Sequence, residues 1–185
     1  MKSERFNQTK KITMMGILIG LAFASLYVVR IPIIPSASFL RFDIKDIFIT
    51  IGGLAFGSWY ALAGVVCVSI LQMFSVSEYG TIGLVMNIVS SCSFAVPISF
   101  VYKKTRNNKG LIIGLALGCV SIVVTMLLWN YLITPLYMGV TREMVKGMIL
   151  PVFLPFNLLK SLINAIIIYF AFRNIVKIDA LYFDK

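Results

Sequence analysis

The sequence predicts an all-α integral membrane protein, a compact bundle of six transmembrane helices with both termini in the cytoplasm. The 185 residues are 59% hydrophobic and only 13% charged, and the mean hydropathy is +0.94. A soluble globular domain of this size is less apolar. The apolar residues also fall into segments near the roughly 20 residues that a helix needs to cross a bilayer.

Six hydrophobic segments are predicted to span the membrane within one domain that covers residues 1–185. The first segment resembles the apolar core of a signal peptide. No convincing cleavage site precedes Arg30, however, so we expect this segment to remain in the mature protein. The predicted spans are residues 12–29, 44–58, 60–77, 81–102, 111–134 and 152–172.

The uncharged stretch between Ile47 and Ser77 is long enough for one helix, or for two shorter helices that break at Gly57. The basic residues form three clusters, one before the first span, one from Lys103 to Lys109 and one after the last span. Two helices between Ile47 and Ser77 place all three clusters on one side of the membrane, whereas one helix would place the cluster from Lys103 to Lys109 on the other side. Basic loops stay cytoplasmic, so we predict two helices. The cytoplasmic basic residues are then Lys2, Arg5, Lys10, Lys11, Lys103, Lys104, Arg106, Lys109, Arg173, Lys177 and Lys185. The outer ones are Arg30, Arg41, Lys45, Arg142 and Lys146.

Several function classes lack the residues that their chemistry requires. The chain has no histidine, and Cys67, Cys92 and Cys119 have no metal-ligand spacing, so we expect them to pack as small apolar side chains. No Walker A motif occurs, so we expect that this chain does not hydrolyse ATP by itself. We therefore expect no metal and no cofactor. The positive-inside pattern accounts for most of the net charge of +10, so no nucleic-acid partner is predicted.

A lysine lies inside the last hydrophobic segment. A charge in hydrocarbon is costly unless it meets a partner or a cavity, so Lys160 is a candidate functional residue. Asn157, Lys160 and Asn164 are spaced i, i+3 and i+7, and they share one face of a helix. We predict that this stripe lines a polar binding pocket. The alternative is that Lys160 snorkels to the outer surface.

Other polar side chains lie inside the predicted spans. Asn130 lies near the outer end of the fifth span, and a buried amide needs hydrogen-bond partners, so Asn130 is a second candidate for the pocket. Its neighbours Trp129 and Tyr131 also suit an interfacial aromatic belt. Gln72 and Asn87 are interpreted first as groups that join helices by hydrogen bonds.

The first outer loop ends in an alternation of apolar and charged residues from Phe39 to Asp46. Such alternation is typical of a half-buried extended segment. We interpret it either as an interfacial anchor with an aspartate N-cap, or as the lid or wall of a binding pocket.

Small residues recur every four positions in two of the spans. Gly16, Gly20 and Ala24 form a ridge in the first span, and Gly114 and Gly118 form a shorter ridge in the fifth. Such ridges allow another helix to approach closely. The partner is either a helix of the same bundle or another subunit.

The order of these features resembles the substrate-binding S component of energy-coupling factor (ECF) vitamin transporters, above all the riboflavin-type branch. The resemblance runs from about Lys11 to Val176. The matching stretches are Leu40-Arg41-Phe42-Asp43-Ile44-Lys45-Asp46, Ala55-Phe56-Gly57, Trp129-Asn130-Tyr131, Pro135-Leu136-Tyr137 and Pro155-Phe156-Asn157-Leu158-Leu159-Lys160.

The resemblance implies a non-enzymatic subunit in the bacterial cell membrane that captures a water-soluble vitamin from outside. It would pair with a membrane-embedded T component and two cytoplasmic ATPase subunits, and would tip in the membrane to release its cargo. The ridge of Gly16, Gly20 and Ala24 would dock the T component. The substrate contacts implied are Leu40, Arg41, Phe42 and Asp43 in the first outer loop, and Asn130, Asn157 and Lys160 in the spans.

The identity of the cargo stays open at this stage. The sequence has Val68-Ser69 where riboflavin-type members carry a Lys-Asn pair in the third helix. Arg41 and Lys160 suit an anionic ligand such as pantothenate. A flat flavin ring suits the aromatic side chains of Phe42, Trp129 and Tyr131. A pyridoxine-type vitamer and a hydroxymethylpyrimidine are further alternatives.

Two other classes remain as alternatives. A stand-alone facilitator or secondary carrier often has buried carboxylates and inverted repeats. The predicted spans contain no acidic residue apart from Asp46, and the two halves show no repeat. A small membrane enzyme would need a nucleophile and a base, and Lys160 is the candidate for such chemistry.

Overall fold

The computed structural model describes residues 2–34, 37, 39–76 and 80–182. Pro35 of the first outer loop, Ser77 of the third predicted span and Lys185 lie outside this part of the chain. The elements are α1 (Lys2–Val28), β1 (Arg30–Pro32), β2 (Arg41–Asp43), α2 (Lys45–Phe56), α3 (Ser58–Ser75), α4 (Gly80–Thr105), α5 (Asn108–Met138), α6 (Arg142–Met148), a π-helical turn (Ile149–Phe153) and α7 (Leu154–Tyr182).

The outer surface of the helices is strongly apolar, as expected for a protein surrounded by lipid. Exposed side chains include Ile17, Ile113, Leu128 and Phe170. Within the described residues, five helical stretches are long and apolar enough to cross a membrane: Gln8–Val28, Ser58–Ser75, Gly80–Thr105, Asn108–Met138 and Arg142–Asn174. With 12 residues, α2 extends only about 18 Å and is shorter than the roughly 30 Å hydrocarbon core.

The uncharged stretch contains two helices that fold back on each other at Gly57. This residue has φ 110° and ψ 168°, a backbone conformation that is open essentially to glycine alone. Close approach of α2 and α3 depends on Gly53, where an added Cβ would lie 2.7 Å from the Cβ of Ala61. The Lys103 side chain lies beside Gly57, so the basic connection between α4 and α5 is at the same end of the bundle as this turn.

The two ridges of small residues have different surroundings. Gly118 faces α4, and an added Cβ there would lie 2.6 Å from Cγ1 of Ile98. By contrast, an added Cβ at Gly16 or at Gly20 would meet nothing within 4 Å. The α5 ridge therefore packs inside the bundle, whereas the ridge on α1 faces outward.

The first outer loop forms a short antiparallel pair of strands at the end of the bundle opposite Gly57. Arg30 pairs with Asp43, and Pro32 pairs with Arg41. The alternating segment is thus partly extended, and the chain passes from β2 directly into α2. This connection places the charged residues Lys45 and Asp46 at the start of α2, where both are buried among the other helices.

Candidate substrate-binding site

A cavity of about 80 Å³ lies beneath the strand pair. Its walls come from the first outer loop, the end of α3, the start of α4, the second half of α5 and the start of α7. The lining residues are Arg30, Phe39, Leu40, Arg41, Asp43, Gln72, Gly83, Met86, Asn87, Ser90, Met126, Asn130, Phe156, Asn157 and Lys160. Residues from five parts of the chain thus meet at one end of the bundle.

Most of the substrate contacts expected from the sequence line this cavity. They are Leu40, Arg41, Asp43, Asn130, Asn157 and Lys160. Phe42 and Asn164 do not line it, although both are buried. Asn164 lies about one turn beyond Lys160 on α7, deeper in the bundle.

Lys160 is buried and forms an ion pair across the cavity wall. Its Nζ lies 3.0 Å from Oδ2 of Asp43 and 3.9 Å from Oδ2 of Asp46. Because only 7% of Lys160 is exposed, its ammonium is held by these carboxylates and does not reach the surface. Burial raises the pKa of Asp43, but the ammonium groups of Lys160 and Lys45 outweigh this effect and hold the pKa below its usual value.

A second buried lysine belongs to the same network. Lys45, the first residue of α2, is 1% exposed, so the prediction that it is one of the outer loop charges is wrong. Its Nζ donates to Oε1 of Gln72 at 2.9 Å and to Oδ1 of Asn87 at 2.8 Å. Gln72 and Asn87 therefore do join helices by hydrogen bonds, and they also line the cavity. The sequence signal for this burial is that Lys45 lies between two carboxylates, Asp43 and Asp46.

Neighbouring backbone groups orient the asparagines of α5 and α7. Nδ2 of Asn157 donates to the Phe153 carbonyl at 2.8 Å, which leaves Oδ1 as an acceptor for the cavity. Nδ2 of Asn130 donates to the Met126 carbonyl at 2.7 Å, and Oδ1 of Asn130 accepts from Thr134. Each amide therefore has a defined orientation before any ligand binds.

The aromatic faces of the cavity differ from those that the sequence suggested. Phe39 and Phe156 line it. Trp129 packs against the hydrophobic core of the bundle, and Tyr131 is 37% exposed. The difference arises because successive residues of a helix point in directions about 100° apart, so Asn130 faces the cavity while its two neighbours do not.

The volume of the cavity limits what it can hold without rearrangement. Sites for drug-sized ligands commonly measure about 300–1,000 Å³, well above the 80 Å³ of this cavity. A ligand of vitamin size therefore requires that part of the wall moves outward.

A buried stretch of α3 precedes Gln72 of this network. Val68 and Ser69 are fully buried. Gln72, one turn further along α3, accepts a hydrogen bond from Lys45.

Comparisons with known proteins agree with this architecture. A solved structure of the S component of a bacterial ECF transporter has the same fold, with a TM-score of 0.79, 22% sequence identity, and coverage of 92% of this chain and 98% of that chain. Riboflavin transporter RibU of Streptococcus thermophilus is 29% identical over 180 residues, 91% of this chain and 85% of the relative. Riboflavin transporter FmnP of Bacillus subtilis is 26% identical over 172 residues, 86% of this chain and 88% of the relative.

A family profile gives the firmest assignment. The profile described as "ECF transporter, substrate-specific component" matches residues 10–172. This match covers the first predicted span, the cavity and most of α7, and it confirms the resemblance that the sequence suggested. The chain therefore belongs to the family of substrate-specific components of ECF transporters.

Proposed function

We propose that this protein binds riboflavin, or a related water-soluble vitamin, in the cavity beneath the strand pair. The observation that carries the proposal is the convergence of Arg41, Asn130, Asn157 and Lys160 on a cavity that Phe39 and Phe156 also line. A pocket that is mostly apolar, with a few polar groups at fixed positions, suits a small heterocyclic ligand. The names of the relatives make riboflavin the first cargo to test.

The protein acts in this proposal as the substrate-binding subunit of an ATP-driven importer in the cell membrane. In this proposal ATP hydrolysis on two ATPase subunits supplies the energy and a T component couples it to the substrate-binding subunit, and the match to the family supports these partners. The outward-facing ridge of Gly16, Gly20 and Ala24 is the docking surface for the T component. Its support is the open space beside both glycines.

The proposed topology has six spans with both termini in the cytoplasm. The position of Lys103 beside Gly57 supports it, because the basic connection and the α2–α3 turn then share the cytoplasmic side. The cavity lies at the opposite end and so opens toward the outside. In this topology α2 is the shortest span.

The first experiment is to identify the molecule that copurifies with the protein from cells grown in rich medium. The absorption spectrum of the protein in detergent is measured, and the compound released on denaturation is analysed by mass spectrometry. We expect a flavin in a one-to-one ratio with the protein. A colourless vitamin would change the cargo and keep the class, whereas a protein that neither carries a ligand nor binds added vitamins would contradict the proposal.

A further inference from the structure

The Lys45 ammonium can orient side chains that line the cavity, although Lys45 itself does not line it. Lys45 is not among the lining residues, yet it donates hydrogen bonds to two that are. Gln72 accepts at 2.9 Å and Asn87 accepts at 2.8 Å. These amides come from α3 and α4, so one buried cation on α2 organises a wall that two other helices form.

This contact determines which way each amide points. An ammonium group has three donors and no acceptor, so it must face the oxygen of an amide and not its NH₂ group. Nδ2 of Asn87 then donates to the Gly83 carbonyl at 2.9 Å. Among the residues that the structure describes, the one hydrogen bond of the Gln72 side-chain amide is the bond that its Oε1 accepts from Lys45, and Nε2 donates none.

Gln72 on α3 and Asn157 on α7 therefore offer opposite hydrogen-bonding groups to the cavity. Gln72 lines the cavity with a free NH₂ group, which is a donor. Asn157 lines it with a free Oδ1 atom, which is an acceptor because its Nδ2 is bound to the Phe153 carbonyl. If the Gln72 amide were rotated by 180°, its oxygen would face the cavity and its NH₂ group would face the Lys45 ammonium. That arrangement is unfavourable, because two donors would then face each other and the ammonium has no acceptor.

We propose that Lys45 is a positioning residue for substrate selection: it holds the Gln72 amide so that the NH₂ group donates to a carbonyl or hydroxyl oxygen of the substrate. This inference rests on the proposed function, because it requires that the cavity binds the vitamin. It adds a chemical demand on the cargo, which must present an oxygen acceptor toward α3 while it presents a donor toward Asn157.

The test measures riboflavin affinity of the full chain in detergent by fluorescence quenching. Gln72→Glu retains a partner for Lys45 but replaces the NH₂ group by an oxygen, so we expect affinity to fall by about tenfold or more while the protein stays folded. Lys45→Met frees the amide, and we expect a similar loss. Lys146→Met makes the same change at an exposed lysine on α6 and serves as the matched control.

A double-mutant cycle separates positioning from a general structural role. If Lys45 acts through Gln72, Lys45→Met should cost less than about twofold in affinity when Gln72 is already leucine. An equal loss in both backgrounds, or unchanged affinity of Gln72→Glu, would overturn the inference while the wild-type chain still bound riboflavin. A wild-type chain that binds no riboflavin would instead contradict the proposed cargo, and the inference with it.

Discussion

The Lys160 ammonium donates to the Asp43 carboxylate across 3.0 Å, although the two residues are 117 positions apart in the chain. The bond joins the outer loop to α7 directly at the cavity. A ligand that contacts either group therefore also contacts the connection that holds the loop in place.

Replacing Lys160 should affect both stability and binding. Lys160→Met leaves the Asp43 carboxylate buried with one cation fewer, and removing one partner of a buried pair commonly costs about 3–5 kcal/mol. The variant Asp43→Asn/Lys160→Met removes both charges, so its unfolding temperature should recover toward that of the wild type while its affinity stays low. Thermal unfolding and ligand titration measure the two effects. If the double variant recovered its affinity as well, Lys160 would be a structural residue alone.

The ionisation of Asp43 predicts a pH dependence of stability. Because the folded-state pKa lies below the usual value of 3.8, the carboxylate stabilises the fold fully above that value. This contribution is lost as the pH falls through the lowered pKa. The difference in unfolding temperature between the wild type and Asp43→Asn should be constant from about pH 5 to 8 and should shrink below about pH 4. A difference that changed near neutral pH would point to another titrating group.

The two asparagines of α7 should differ in their effect on binding. Asn157 lines the cavity and offers Oδ1 to a ligand, so Asn157→Leu should weaken vitamin binding by about tenfold or more. Asn164 is buried one turn deeper, outside the lining residues, so Asn164→Leu should leave affinity nearly unchanged. Isothermal titration of both variants makes the comparison. Equal losses would indicate that the ligand reaches deeper than the cavity does.

The outward ridge on α1 should matter for transport and not for binding. A leucine at Gly20 has open space around it, so Gly20→Leu should preserve folding and vitamin affinity. If the ridge docks the T component, uptake into cells should be abolished because a bulky side chain prevents close approach. Gly118→Leu is the contrasting variant, since its side chain would collide with Ile98 and should destabilise the bundle itself. Normal uptake by Gly20→Leu would exclude the ridge as the docking surface.

The turn at Gly57 should tolerate no side chain. Gly57→Ala forces a residue with a Cβ atom into φ 110°, at a cost of about 1–3 kcal/mol. Gly147→Ala lies in α6 with nothing near its Cβ position, so it should leave stability unchanged or raise it slightly. Thermal unfolding of both variants in the same detergent tests this. A loss at Gly147 equal to that at Gly57 would mean that the backbone conformation is not the cause.

Hydropathy was sufficient to predict a helical membrane protein, because apolar segments of this length have few alternatives in a bilayer. The break at Gly57 also followed from the sequence, since the basic residues between α4 and α5 favour one side of the membrane. Lys160 and Asn157 were recognisable because polar groups are rare within such segments. Each of these inferences depends on local composition or on charge balance, which a single sequence contains.

Tertiary structure alone decided which polar groups meet. The sequence predicted Lys45 to be a loop charge, because its hydrogen-bond partners are far away in the chain. Gln72 and Asn87, which offset the cost of burying its ammonium, lie 27 and 42 positions further along. The exclusion of Trp129 and Tyr131 from the cavity depends on the rotation of α5 about its axis, which packing against α4 sets through Gly114 and Gly118. Hydrogen-bond partners and helix rotation are properties of the packed bundle, so the sequence determined the class and several site residues, whereas the fold determined how those residues are paired.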